Sequence, residues 1–129
     1  DFDPSARIAI DGGLDGLIVS NTTISRPVLA SRDAGESGGL SGTPLRPLAM
    51  AALRHAVRAT GGALPLIAAG GIATGAEAYA RIRAGASAVQ LYSALVYAGP
   101  GLVQRIKADL AALLRRDGFA SVAAAVGGG

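Results

Sequence analysis

Three short apolar runs, each ending in small or polar residues, constrain this chain's fold more than anything else in it. They are "LDGLIV" from Leu14 to Val19, "LPLIAA" from Leu64 to Ala69, and "AVQLY" from Ala88 to Tyr92. The runs are continuous rather than alternating, which is the pattern of parallel strands covered on both faces. Helical periodicity separates and follows them. From Leu48 to Thr60, Met50, Leu53 and Val57 recur at helical spacing, with Arg54 and Arg58 elsewhere on the wheel. "TGAEAYARIRAG" opens with Thr74 and Glu77 in capping-box spacing and stops at Gly85. Pro100 suits the first turn of a long helix carrying Leu102, Val103, Ile106, Leu110 and Leu113. Arg115 and Arg116 close that helix against its dipole, Gly118 ends it, and a short helix from Ser121 to Val126 follows.

The succession is thus strand, loop, helix, strand, helix, strand, helix. Such βα units take right-handed crossovers and build a parallel sheet. The long irregular stretch from Thr22 to Pro47, with its "GESGGLSGTP", reads as a functional loop rather than a connector.

Composition narrows the class. With 129 residues there is room for one domain. Half of them are apolar and only 16% charged, which fits a well-buried soluble α/β protein and not a disordered one. The net charge of +3 does not signal nucleic-acid binding. The arginines are scattered, only Arg115 and Arg116 are adjacent, and no aromatics alternate with them. The absence of cysteine excludes disulfides, thiolate metal sites and thiol nucleophiles, and a single His argues against a His-based metal centre. "DFDPSAR" is no secretory signal, and no apolar stretch approaches the roughly 18 residues of a membrane span.

Chemistry concentrates where the runs end. Leu17-Ile18-Val19 empties into Ser20, Asn21, Thr22 and Thr23. The second run ends in "AAGGIATG" and the third in "QLYSAL", each followed by a helix start. Gly70 and Gly71 allow close approach of backbone to a ligand, and free N–H groups near helix starts favour an anion. Taken singly, Gly70-Gly71 also reads as a tight turn, and Tyr92-Ser93 as a strand end with a core Tyr. Side by side they describe the phosphate site that (β/α)8 barrels build after their last two strands. "SGGLSGTPL" is either a flexible linker or a third glycine loop, pinned by Leu40, Pro44 and Leu45 and offering Ser37, Ser41 and Thr43 hydroxyls.

Together, "DGLIVSNTTISRP", "ESGGLSGTPLRPLA", the segment from "LPLIAAGGIATG" through "QLYSALVYAGPGL" to "IKADL", and "DGFASVAAAVG" resemble dihydroorotate dehydrogenase. The resemblance is to the C-terminal part of the quinone-dependent, membrane-associated class, and it runs from Leu14 to Gly127. It implies an α/β fold, the C-terminal portion of a (β/α)8 TIM barrel with about three parallel strands and their helices. It also implies FMN as cofactor and oxidation of dihydroorotate to orotate in pyrimidine (UMP) synthesis, with quinone as electron acceptor and neither metal nor nucleic acid as partner. By resemblance Asn21 and Thr22 bind the pyrimidine, and an amide that both donates and accepts suits an imide edge. Ser20, Gly42, Gly70 and Gly71 would contact FMN, and Tyr92 and Ser93 would give backbone N–H groups to its phosphate.

The family's serine base, its flavin-contacting Lys and its quinone-admitting helices precede such a segment, and here the sole Lys is Lys107. Three strands cannot close an eight-stranded barrel. The expectation is therefore a single partial domain over 1–129, the last third of the barrel, arising from a truncated gene, a partial assembly or an excised piece. It would be inactive alone. Residues 1–13 look like a shortened helix before the first strand. The whole enzyme is expected at a membrane (the cytoplasmic face of the inner membrane in a bacterium), and this segment by itself is expected to be soluble.

Other groups read blandly. His55 is expected at a helix flank, Arg105 and Asp109 as a surface pair, and Asp33 and Glu36 as loop carboxylates rather than general bases. Arg26 either reaches an anion or braces its loop. Two other readings stay open: another FMN or phosphate barrel, such as an α-hydroxy-acid oxidase relative, and a non-catalytic half-barrel that assembles through its raw edges.

Overall fold

The computed structural model describes residues 2–25, 29 and 31–128. All three apolar runs become strands, shorter than the runs themselves: β1 (Leu17–Val19), β2 (Leu66–Ala69) and β3 (Ala88–Gln90). They pair in parallel in the order β1-β2-β3, with Leu17 opposite Leu66, Val19 opposite Ala68, and Ala68 opposite Val89. The helices are α1 (Phe2–Asp11), α2 (Arg46–Thr60), α3 (Gly75–Arg83), α4 (Ser93–Ala98), α5 (Gly101–Arg116) and α6 (Val122–Ala125).

Side chains alternate across a strand, so the register sorts them into two sets. Val19, Leu66 and Ala68 enter the core with Leu53 and Ala56 of α2, Ala78 of α3, and Leu102 and Ile106 of α5. Ile18, Ile67, Ala69, Ala88 and Gln90 occupy the opposite face, where Ile18 is 59% exposed. The expectation that the strands are covered on both faces is therefore correct for one face only. The helices of this chain lie over one side, and the apolar residues of the other side stand partly in solvent.

Helix boundaries follow their chemistry. The capping box at Thr74 forms, with Glu77 N–H donating to Thr74 Oγ1 at 3.2 Å and Thr74 N–H to Glu77 Oε2 at 3.1 Å. α2 starts at Arg46, two residues before the apolar periodicity, following a 3-10 turn over Thr43–Leu45. Pro47 is tolerated there because a first-turn N–H has no helical acceptor to lose. The element following β3 is not one helix but two. α4 ends at Gly99, whose φ is +73°, and α5 starts just after Pro100. Six residues carry too little periodicity to announce α4. Arg105 does not pair with Asp109 but donates to the Ala98 carbonyl at 3.4 Å. Asp109 instead packs where α3 and α5 cross, against Gly75, where any Cβ would collide with it.

A second cluster, Tyr79, Ile82 and Ala125 with Leu113, Leu114 and Phe119, holds the C-terminal turn on α3. Arg83 lies 4.6 Å from the centre of the Phe119 ring. Asp117 accepts from Arg116 Nε at 2.7 Å and from the Tyr79 hydroxyl at 2.6 Å. These bonds, Arg116 first, hold the Asp117 carboxyl well below the usual carboxylate range. A group whose folded pKa is depressed stabilises above its unfolded pKa, and that contribution drains away as the pH falls. Asp117→Asn should therefore lower the melting temperature at pH 7, and the gap from wild type should begin to narrow below about pH 4, the unfolded Asp value, and go on narrowing to the lowest pH reached. Thermal melts by circular dichroism across pH 2 to 7 would check this, and a gap independent of pH would count against it.

Candidate functional site

Three adjacent parallel strands end on the same edge of the sheet, so the segments that follow them meet. Ser20–Thr22 follows β1, Gly70 and Gly71 follow β2, Tyr92 and Ser93 follow β3, and the Ser41–Thr43 loop folds back beside them. They bound a cavity of about 460 Å³, within the range of roughly 300–1,000 Å³ usual for small-molecule and cofactor sites. Ser20, Asn21, Thr22, Gly42, Gly70, Gly71, Tyr92 and Ser93, all singled out from sequence, line this one cavity.

The glycine loop is an ordered wall and not a linker. Thr23 N–H donates to the Leu40 carbonyl at 3.2 Å, and Leu40 N–H returns a bond to the Thr23 carbonyl at 2.7 Å. Leu45 is buried, and the Ser41 and Ser93 hydroxyls bond at 2.9 Å. Gly39 lies so near Thr22 that any Cβ would strike its side chain. Pro44 is exposed, so the pinning falls to Leu40 and Leu45. At the end of β1, Asn21 Oδ1 accepts from Thr22 N–H at 2.8 Å, which orients the carboxamide, and the Ser20 hydroxyl donates to the Asn21 carbonyl at 3.4 Å.

Gly70 and Gly71 adopt φ of +96° and +70°. Their missing side chains point toward α2. A Cβ on Gly71 would lie 2.6 Å from Arg46 Cα, and one on Gly70 would lie 2.8 Å from Leu45 Cδ2. The approach these glycines permit is that of a helix, where the sequence had suggested a ligand. Behind them Arg81 is buried, its Nη2 donating to the carbonyls of Gly70 and Arg46, both at 3.1 Å. Burial pushes the Arg81 guanidinium down from its usual pKa, and the Glu77 carboxylate opposes that shift. Sequence reasoning passed over Arg81. The available signal was its phase, since it shares the buried side of α3 with Ala78 and Ile82.

Tyr92 is 80% exposed, which overturns its reading as a core residue. Gln90, Tyr97 and Leu102 also line the cavity and had not been singled out. The backbone N–H groups of Gly71, Ile72, Tyr92, Ser93 and Ala94 find no acceptor among the described residues. No Asp, Glu, His, Lys or Arg of the described residues lines the cavity, so these walls present neutral groups. His55 pairs with Asp3 at 3.1 Å, away from the cavity, and neither Asp33 nor Glu36 reaches it. Arg26 lies outside the described residues.

Comparison with known proteins gives one consistent answer. The family model described as dihydroorotate dehydrogenase matches residues 2–114. A Rhodospirillum rubrum protein named dihydroorotate dehydrogenase (quinone) is 67% identical over 123 residues, 95% of this chain and 34% of that protein. Its namesake in Erythrobacter litoralis is 61% identical over 127 residues, 98% of this chain and 37% of the relative. The crystal structure of an Eimeria tenella DHODH in complex with ferulenol superposes with a TM-score of 0.91 at 46% identity, over 95% of this chain and 33% of that one. This chain thus spans about a third of the length of the relatives it matches. Its strands and helices are a portion of a (β/α)8 barrel.

Proposed function

Because the chain belongs to the dihydroorotate dehydrogenase family, we propose that it is the C-terminal third of the FMN-binding barrel of the quinone-dependent enzyme. The whole enzyme oxidises dihydroorotate to orotate in pyrimidine synthesis. The observation that carries this reading is convergence: residues nominated from four separate stretches of sequence wall one cavity at the strand ends. The cavity also suits FMN chemically. The unused N–H groups of Gly71, Ile72, Tyr92 and Ser93 match the acceptor-rich phosphate, and Ser20 and Gly42, which line the same cavity, would contact the rest of the cofactor.

When bound, FMN supplies the two-electron acceptor for a hydride from the substrate. Asn21 and Thr22 orient the pyrimidine. By the family resemblance the proton-removing serine belongs to another part of the enzyme, and no carboxylate, imidazole or amine of the described residues lines the cavity to take its place. Quinone reduction and membrane attachment belong there too. Among the described residues, no helix is long and apolar enough to cross a membrane.

Titration of the purified chain with FMN, followed by flavin fluorescence, tests this. Saturable binding that tightens with orotate is expected. Asn21→Ala should reduce the orotate-dependent tightening by about tenfold, the worth of a hydrogen bond to a charged or strongly polar group, while sparing FMN binding itself. A folded chain that binds no FMN overturns the idea that these walls hold the flavin unaided and leaves the chain as one part of a larger site. A second reading, a non-catalytic assembly module, draws on the exposure of Ile18, Val96 and Tyr97. Light scattering that shows size growing with concentration, without flavin binding, would favour it.

A further inference from the structure

The two halves of a trans peptide unit point in opposite directions, so whatever holds a carbonyl also aims the N–H at the other end. The Gly70 carbonyl accepts from Arg81 Nη2 at 3.1 Å, which directs Gly71 N–H away from the guanidinium. The Gly71 carbonyl accepts from Arg46 Nε at 3.4 Å, which does the same for Ile72 N–H. Arg81 Nη2 also holds the Arg46 carbonyl, tying the start of α2 to the turn. Beyond Ile72 the donors are already used, because Glu77 accepts from Ala73 N–H at 2.6 Å and Thr74 N–H at 3.1 Å while pairing with Arg46. Gly71 and Ile72 both line the cavity, and neither N–H meets an acceptor among the described residues.

Arg81 is an expensive way to fill this position. It is 1% exposed, and its Nη1 has no hydrogen-bond partner among the described residues. A buried cation left partly unsatisfied destabilises, and an apolar side chain of similar size would pack without that penalty. Shape alone therefore does not account for an arginine here.

We propose that Arg81 is a positioning residue for the phosphate end of the cavity: from behind the Gly70-Gly71 turn it fixes the peptide groups whose N–H donors face the ligand, with Arg46 as its partner. It touches no ligand itself. The inference rests on the reading that a phosphate group occupies this end.

The test compares affinities for FMN and for riboflavin, which lacks the phosphate, in the wild-type chain and in Arg81→Met, Arg81→Lys and Arg46→Gln. Wild type should prefer FMN. Arg81→Met should cut that preference by about tenfold or more, as Gly71 N–H loses its alignment directly and Ile72 N–H loses it through the released start of α2, while riboflavin affinity stays as it was. Arg81→Lys retains the charge and a donor but not the planar fork, and should restore part of the preference. Arg46→Gln should give a smaller loss. A general packing defect would weaken both ligands together. Should Arg81→Met fail to fold, Arg81→Lys and Arg46→Gln decide: unchanged preference in both overturns the inference. Wild-type preference that persists in every variant overturns it while leaving the phosphate reading intact. A wild-type chain with no preference for FMN overturns the phosphate reading, and the role of Arg81 falls with it.

Discussion

Gly71→Ala should cost more stability than any other single glycine substitution in the walls of the cavity. The backbone at Gly71 has φ +70°, a conformation that costs a residue with a side chain about 1–2 kcal/mol. Its Cβ would also lie 2.6 Å from Arg46 Cα and 2.7 Å from Arg46 N. Those are backbone atoms of the first residue of α2, so relief requires moving the helix, a further penalty of about 1–3 kcal/mol for overpacking. The sum, about 2–5 kcal/mol, is a large part of what holds a domain folded. Gly70→Ala meets the flexible end of Leu45 at 2.8 Å and should cost less. At Gly42, φ is +77° but the nearest contact is Ser93 Cβ at 3.8 Å, so only the conformational strain applies. Urea unfolding should rank the losses Gly71→Ala, Gly70→Ala, Gly42→Ala in descending order. FMN binding should be lost first at Gly71, because displacing Arg46 releases the Gly71 carbonyl. Equal costs at all three would mean that the turn tolerates movement of α2, and the account of its rigidity would be wrong.

That ordering depends on something the sequence shows only in part. "AAGGIATG" marks a strand end that turns sharply into a capped helix, because Gly-Gly and the Thr74–Glu77 spacing act within a few residues of themselves. Such local chemistry is legible, which is why the strands, the capping box and the end of α5 at Gly118 emerge where expected. The partner of Gly71 is Arg46, 25 residues away, and nothing in the local pattern points to it. Arg81 is hidden for the same reason, since its two acceptors lie on a turn and on another helix. The cavity residues were accessible by a different route. Their motifs resemble a known family, and that resemblance carries information about long-range arrangement that periodicity lacks. Tyr92 marks the limit of the local argument: a Tyr ending an apolar run has the same pattern whether it turns inward or, as here, stands 80% exposed at the cavity.

The strand runs hold a second ambiguity, and it yields the other large effect. A continuous apolar run indicates that both faces are to be covered but not what covers each of them. Leu53 of α2 is fully buried against β1 and β2, and Leu53→Ala should cost about 2–5 kcal/mol through lost transfer energy and the cavity left behind. Ile18 lies on the opposite face at 59% exposed, so Ile18→Ala removes little buried area and should cost under about 1 kcal/mol. Sequence alone ranks the two as equals. Urea unfolding at low protein concentration should separate them by severalfold. Raising the concentration then asks what the uncovered face does in solution. If the Ile18→Ala penalty grows with concentration while that of Leu53→Ala does not, a second copy is covering the face that the rest of a barrel would cover. If the penalty stays small at every concentration, the open face tolerates water, and the helices alone are enough to hold the three strands and the cavity at their ends.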